Sequence, residues 1–511
     1  LPELKTQPSH GFFFSFITFF GRFGGVLRAL VIAAFFGANL QTDGYRLAFQ
    51  APEWLFFLIS GTALGSAFTP IYSELIANNK EKEASDLFNV LLSVILTFGV
   101  AALIFGAGAL NQITHLLAPG KPQFALSQIS EMAGLLMPAM WCLGIGSLLY
   151  GALYARRKLA IPGLGNAILS FGVIFGALSG SATGQIEYAA WGALAGAIFG
   201  SLVFPLIAVR GSGIRYKFSL DFKTEGVALV LSNLVRDSLI FGMPVLLIIT
   251  MQVFASDLQP GSNSILDYAT QVAWLPVLIF GIPLSAALSP ALAHFRSLHR
   301  PDLERAEIAK SFTTMCFLVF PISAALLALA PAISVALFEH GKFEHQQALQ
   351  CAYLLRVFAV GVAGWAIHPI FARALIATTD AWNAAFLGLL SPVLLCITIL
   401  AMSSRHTPLA IIPLGFTVVI ILVAAALFFM VCQEFGWEIA KPCAIGKLKC
   451  LLCAGVAGGV LYGASILLEG PLQGSFLWPI LLLLLLAGAW INLLMGKLLK
   501  MPEAGFVERA M

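Results

Sequence analysis

The sequence predicts an all-α polytopic membrane protein of about fourteen transmembrane helices, built as two six-helix parallel repeats followed by two C-terminal helices. Three observations predict it: a composition that water cannot surround, fourteen apolar stretches of bilayer length, and an internal similarity at an offset of 220 residues. Of 511 residues, 59% are hydrophobic and 11% charged. Soluble domains carry about 25% charged residues, so this chain cannot give itself a water-compatible surface. The 41 Phe and 47 Gly suit a lipid solvent, because Phe faces acyl chains and Gly lets helices approach closely. Disorder, collagen, coiled coil and a nucleic-acid-binding domain are excluded on the same grounds.

A hydrocarbon core about 30 Å thick takes roughly 20 apolar residues per helix. The first stretch, 11–37, is too long for a signal peptide and runs into an Arg-bearing helix. The second, 47–76, ends before Lys80 and Lys82, which lead into 86–117; Lys121 separates that stretch from 126–154. Arg156, Arg157 and Lys158 precede 160–180, then 187–209, and the basic run Arg210 to Lys223 leads to 226–255. The stretches 265–294 and 309–338 flank Arg296, Arg300 and Arg305; 347–374, 381–402 and 408–432 follow, and 446–468 and 475–498 close the chain. The corresponding domains are an N-terminal lobe at 1–223, a second lobe at 224–438, and helices 13 and 14 at 439–511. No loop is long enough to hold a soluble domain.

With the N-terminus cytoplasmic, 21 Lys and Arg fall on the cytoplasmic side and 4 on the other, with Arg22, Arg28, Arg236 and Arg356 inside helices. That is the positive-inside bias, and it places both termini in the cytoplasm. The basic loops also attract anionic lipid of the bilayer.

Residues 54–70 (WLFFLISGTALGSAFTP) lie on 274–290 (WLPVLIFGIPLSAALSP), sharing Trp54/Trp274, Gly61/Gly281 and Pro70/Pro290, and Gly120-Lys121 meets Gly341-Lys342. Six helices separate the copies, an even number, so the halves share orientation. Parallel repeats of this kind bind substrate between the halves and alternate access by rocking.

An ionisable group at the bilayer centre costs about 2.5–3.5 kcal/mol on insertion scales, so Arg22, Arg28, Arg236 and Arg356 need water or partners. Arg22 and Arg28 lie about 9 Å apart along one helix and roughly 120° around it, so both can border one cavity. Asp43, Arg46 and Glu53 follow at the next helix junction. Two readings stand. In one, a hydrated central cavity uses guanidinium forks to clamp a phosphate or diphosphate; this suits Arg22 and Arg28. In the other the arginines pair with Glu53, Asp237, Asp267 and Glu131; this suits Arg236 with Asp237. A cation site formed by Asp237 with Asn383 would couple transport to sodium.

No catalytic chemistry is visible. Cys450-x2-Cys453 has no second pair, the eight Cys read as buried small hydrophobes, and the eight His form no metal-binding pattern. There is no phosphate-binding Gly-rich loop, so the expectation is no enzyme, no metal and no cofactor.

The segments GRFGGVLRALVIAAFFGANLQTDGYRLAFQAPEWLF, SGTALGSAFTPIYSE, SVALFEHGKFEHQQ and RALIATTDAW resemble the MurJ (MviN) lipid II flippases of the multidrug/oligosaccharidyl-lipid/polysaccharide exporter superfamily. LFEHGKF resembles the family's LFxxGxF signature, and the similarity runs through nearly the whole chain. The resemblance implies a bacterial inner-membrane protein of fourteen helices. Its cationic V-shaped cavity moves the undecaprenyl-diphosphate-linked peptidoglycan precursor outward, while the last two helices hold the polyprenyl tail. Arg22, Arg28 and Asp43 match cavity residues of the family. Gln50 stands where the family has Lys, Phe56, Phe57 and Gly61 where it has paired Arg and an acid, and Thr270-Gln271 where it has Asp-Arg.

The expected substrate contacts are Arg22, Arg28, Asp43, Arg46, Glu53, Arg236 and Gln271, with Arg46 and Arg236 as replacement diphosphate contacts. The expected function is flipping of a lipid-linked diphosphate glycan, lipid II, by alternating access, with monovalent-cation or membrane-potential coupling. Two alternatives stay open: export of another polysaccharide lipid or a small molecule, and a non-transporting paralogue that scaffolds cell-wall synthesis enzymes.

Overall fold

The structure, a computed structural model, describes residues 24–56, 62–156, 158, 160–211, 214–376, 381–403, 408–468 and 476–505, and every regular element among them is helical. In chain order these are α1 (Gly24–Phe36), α2 (Leu40–Leu55), α3 (Thr62–Ala77), α4 (Glu81–Leu117), α5 (Gln123–Ala155), α6 (Ala160–Ser181), α7 (Glu187–Arg210) and α8 (Val227–Phe241). They continue as α9 (Met243–Ser256), α10 (Ser262–Ser297), α11 (Pro301–Phe338), α12 (His345–Ile376), α13 (Ala381–Met402), α14 (Ile411–Phe435), α15 (Trp437–Leu467) and α16 (Leu477–Leu498).

Eleven of the described helices are long and apolar enough to cross a membrane, twelve if α8 and α9, bent by 51° at Gly242, form one span. Among the described residues the expected count of fourteen is therefore not confirmed. The first expected span contributes only the 13-residue α1 to the described residues; of the second, α2 and α3 are described and residues 57–61 lie outside the described residues.

The chain divides into two compact units, 1–245 with 252–264, and 246–251 with 265–511. In the first, α3, α4, α5 and α8 share a core in which Phe68, Tyr72, Leu87, Phe88, Leu148 and Leu149 are almost fully buried. Tyr216 and the backbone of Lys217 and Ser219 hydrogen-bond to Asn89 and Ser93, laying the segment before α8 along α4. Beside this core α6 and α7 meet through glycine. A Cβ on Gly172 would lie 2.5 Å from Gly192 O, and one on Gly196 would lie 2.9 Å from Leu169 Cα. The two backbones touch, as small-residue membrane interfaces allow. Tyr150 of α5 closes the group by donating to Gly200 O at 2.7 Å, on the π-helical turn Ile198–Val203 of α7.

The second unit is built on α11, α12 and α14, with Trp365 packed against Trp274 and Phe416 at ring separations of 4.5 and 4.8 Å. The LFEHGKF segment is its α11–α12 turn. Gly341 takes a φ of 63°, while buried Phe338 and Phe343 pack on Tyr268. α15 packs along α11, and α16 packs against both, with Asn492 of α16 donating to Phe317 O of α11 at 3.3 Å. α6, α13, α15 and α16 leave most of their apolar surface uncovered, as lipid-facing helices do, whereas α12 is largely enclosed.

Candidate functional site: the α1–α2 corner

α1 ends at Gly37, with φ of 77°, and the chain reverses through Ala38 and Asn39. Asn39 caps α2. Its Oδ1 accepts from the backbone N–H of Gln41 and Thr42, and Thr42 Oγ1 accepts from Asn39 N–H at 2.8 Å, so free donors at the helix start are satisfied reciprocally. From this cap the spacing of Asp43, Arg46, Gln50 and Glu53 sets four polar side chains along one face of α2.

Asp43 is fully buried and its carboxylate is completely engaged. Oδ2 accepts from Lys121 Nζ at 2.9 Å and Gly261 N–H at 2.8 Å, and Oδ1 accepts from Ser264 N–H at 2.9 Å and Ser264 Oγ at 2.8 Å. Three chain segments converge on one residue: the start of α2, the α4–α5 turn and the α9–α10 turn. Gly261, at φ of 92°, passes so close to the corner that a Cβ there would lie 2.7 Å from Ala38 O. Gly120, before Lys121, packs in the same way against Asp257. Sequence reasoning placed Lys121 only at a span boundary and in the internal repeat, and missed Gly261 and Ser264. The available signal was a charged Gly-Lys turn on the side of the chain poorest in Lys and Arg.

Arg28 is half-buried, its guanidinium 5.9 Å from the centre of the Phe49 ring, and it makes no ion pair among the described residues. The ring face favours the cation without neutralising it. Arg46 reaches Glu53 at 3.7 Å, a long contact with both side chains partly exposed. Gln50 is fully buried, and neither its Oε1 nor its Nε2 has a hydrogen-bond partner. Phe56 is buried. Arg22, Phe57 and Gly61 lie outside the described residues.

Elsewhere in the first unit, Arg236 Nε and Nη2 donate to Asp237 Oδ1 at 3.1 and 3.0 Å, so this arginine is paired with its neighbour. In the second unit, Gln271 Nε2 donates to Asp267 Oδ2 at 2.6 Å, and Thr270 turns back on its own helix to Leu266 O. Asn383 is exposed on a groove of about 400 Å³ between α13 and α14, with Phe386, Leu390, Phe429 and Gln433. No group of three or more His, Cys, Asp or Glu among the described residues is placed to hold a metal ion. The corner thus joins a satisfied carboxylate to a guanidinium that makes no ion pair among the described residues. That combination can bind a phosphate or diphosphate oxygen and hold its own geometry while doing so.

The family model for the lipid II flippase MurJ matches residues 32–483. A probable lipid II flippase MurJ of Thermotoga maritima is 27% identical over 494 residues, covering 96% of each chain. The lipid II flippase MurJ of Burkholderia cenocepacia is 24% identical over 372 residues, 71% of this chain and 72% of its own. Among solved structures, a lipid II flippase MurJ in an inward closed conformation is similar with a TM-score of 0.76 and 20% identity, over 95% of this chain and 98% of that one. An inward-facing multidrug resistance MATE family transporter of the MOP superfamily is similar with a TM-score of 0.65 and 13% identity, over 82% and 96%. The structural likenesses establish the shared fold; the family match over most of the sequence goes further, and by it this chain belongs to the MurJ family of lipid II flippases.

Proposed function

We propose that this chain flips lipid II, the lipid-linked diphosphate precursor of peptidoglycan, across the bacterial inner membrane by alternating access. The observation that carries the reading beyond family membership is Arg28, held half-buried beside the polar face of α2 without an ion pair among the described residues. Arg28, with Arg22 on the same stretch of sequence, takes the diphosphate; Arg46 and Glu53 line its approach, and Arg236 and Gln271 make further polar contacts. Asp43 serves as a positioning residue, fixing the corner from which Arg28 and Arg46 project. Headgroup binding moves the inward–outward equilibrium only by its difference in affinity for the two states.

The wider reading assigns two six-helix repeats, at 1–223 and 224–438, to the two moving halves. The segment 439–511 is assigned to the polyprenyl tail, and both termini to the cytoplasm. The chain acts as a transporter and not as an enzyme, driven by membrane potential or a monovalent cation. Asp237 and Asn383 are the candidate cation ligands.

Complementation of a flippase-depleted bacterium tests this. The intact chain restores growth and cell shape, Arg28→Glu does not, and the variant accumulates in the membrane at the normal level. A second reading, a non-transporting paralogue that scaffolds cell-wall synthesis enzymes, draws on Gln50, Phe56 and Thr270-Gln271, uncharged where the family carries charge. On that reading neither protein complements and both retain the synthesis enzymes on affinity purification.

A further inference from the structure

In the second unit a cavity of about 490 Å³ lies between the first turns of α11, the α14–α15 junction and the helical turn 502–505. Arg305 and Lys310 bring positive charge to its wall, and Asp302, Glu438 and Glu503 bring negative charge. Most of this charge is spent. Arg305 Nη1 donates to Glu438, Lys310 pairs with Glu307 at 3.7 Å, and Asp302 accepts from Arg300. Two atoms are not served. Glu503 is only 7% exposed and its Oε2 has no hydrogen-bond partner among the described residues, while Arg305 Nε is buried and donates to none of them.

An unpaired buried acceptor and an unpaired buried donor lining one cavity without meeting each other call for a ligand that presents both complements. An anion alone would be repelled by Glu503, and a cation alone would leave the guanidinium edge unserved. The surroundings favour a lipid as the carrier. Trp437, next to Glu438, is exposed and packs edge-on against Phe429 at 5.5 Å, in the manner of an aromatic anchor at a membrane–water boundary. From the cavity, α15 runs on with Ile445, Leu448 and Leu452 exposed, an apolar flank for acyl chains.

We infer that this cavity binds the headgroup of a zwitterionic aminophospholipid, its phosphate toward Arg305 and Lys310 and its ammonium toward Glu503. The primary ammonium is essential, because a quaternary one has no hydrogen to donate. Arg305, Lys310 and Glu503 are not among the contacts proposed for the lipid II diphosphate, although Glu503 lies in the segment assigned to its polyprenyl tail; the site adds a structural lipid to the protein.

Native mass spectrometry of the purified full chain, titrated with phosphatidylethanolamine, phosphatidylcholine or phosphatidylglycerol, tests the inference. The wild-type chain should retain the ethanolamine lipid about tenfold better than the other two, a preference set by one charge-assisted hydrogen bond. Glu503→Gln should erase that preference, and Lys310→Gln should weaken retention of the ethanolamine and glycerol lipids alike. Equal retention of all three lipids by the wild type, which requires no variant to fold, would overturn the inference. So would an undiminished preference in a folded Glu503→Gln protein. Displacement of the lipid by an equal concentration of soluble O-phosphoethanolamine would overturn the lipid assignment in favour of a soluble zwitterion.

Discussion

Asp43 and Arg28 flank the same corner and have opposite fates. The carboxylate is fully buried and accepts four hydrogen bonds from Lys121, Gly261 and Ser264, whereas the guanidinium is half-buried and rests on the Phe49 ring with no ion pair among the described residues. A polar side chain in a membrane protein can thus be kept for architecture or for a ligand, and residue type does not say which. The count of partners does. Asp43 has none of its capacity left for substrate, and Arg28 has no ion pair among the described residues.

Stability and transport should therefore separate at these two positions. Asp43→Leu removes the partner of a buried ammonium and strands two backbone donors, and should lower the folding free energy by about 3–5 kcal/mol, read as a fall in melting temperature of the purified protein. Lys121→Met should cost less, because Gly261 and Ser264 still serve the carboxylate; the double variant Asp43→Leu, Lys121→Met should recover part of the Asp43→Leu loss, since no charge is then left unpaired. An Asp43→Leu protein that melts like the wild type would show that the acid is not architectural.

The same contrast recurs between parts of the sequence related by the 220-residue offset. Lys121 is buried against Asp43, while its counterpart Lys342 is exposed beside the α11–α12 turn. α6 and α7 meet backbone to backbone at glycine; between α13 and α14 the side chains of Leu395 and Ile399 pack over Gly415, and a groove opens at Asn383 and Gln433. Gly172→Val should accordingly destabilise the first unit by about 1–3 kcal/mol through overpacking against Gly192 and Gly196, seen as a lower melting temperature. A valine tolerated there would mean that the two helices do not touch.

The smallest effect is expected at the long pair. Arg46 and Glu53 are 3.7 Å apart and partly exposed, so Glu53→Gln should change stability by less than about 1 kcal/mol. A larger loss of melting temperature would move Glu53 to the architectural side of the contrast.

Composition and apolar length made the helical membrane class legible, because bilayer thickness leaves a chain few ways to cross. Where helices break was harder to read. The bend at Gly242 depends on packing that a hydropathy window averages away. At the corner, Arg28, Asp43 and Arg46 stood out as charges in an apolar stretch. Their different roles did not, because the partners of Asp43 come from residues 78 to 221 positions away, and two of its four bonds come from backbone amides that any residue except proline would supply. Gly120 stood out only as a repeat match with Gly341, and Gly261 was lost among 47 glycines. The charge pairing of Arg236 was readable because its partner is the next residue.

Lipid II translocation by the purified chain in vesicles loaded with lipid II in one leaflet decides between a transport corner and a merely structural one. The wild-type protein should expose the headgroup to the other leaflet, and Arg28→Glu should abolish that exposure while keeping the wild-type melting temperature. Wild-type exposure rates in a folded Arg28→Glu protein would contradict the assignment of the diphosphate to this guanidinium.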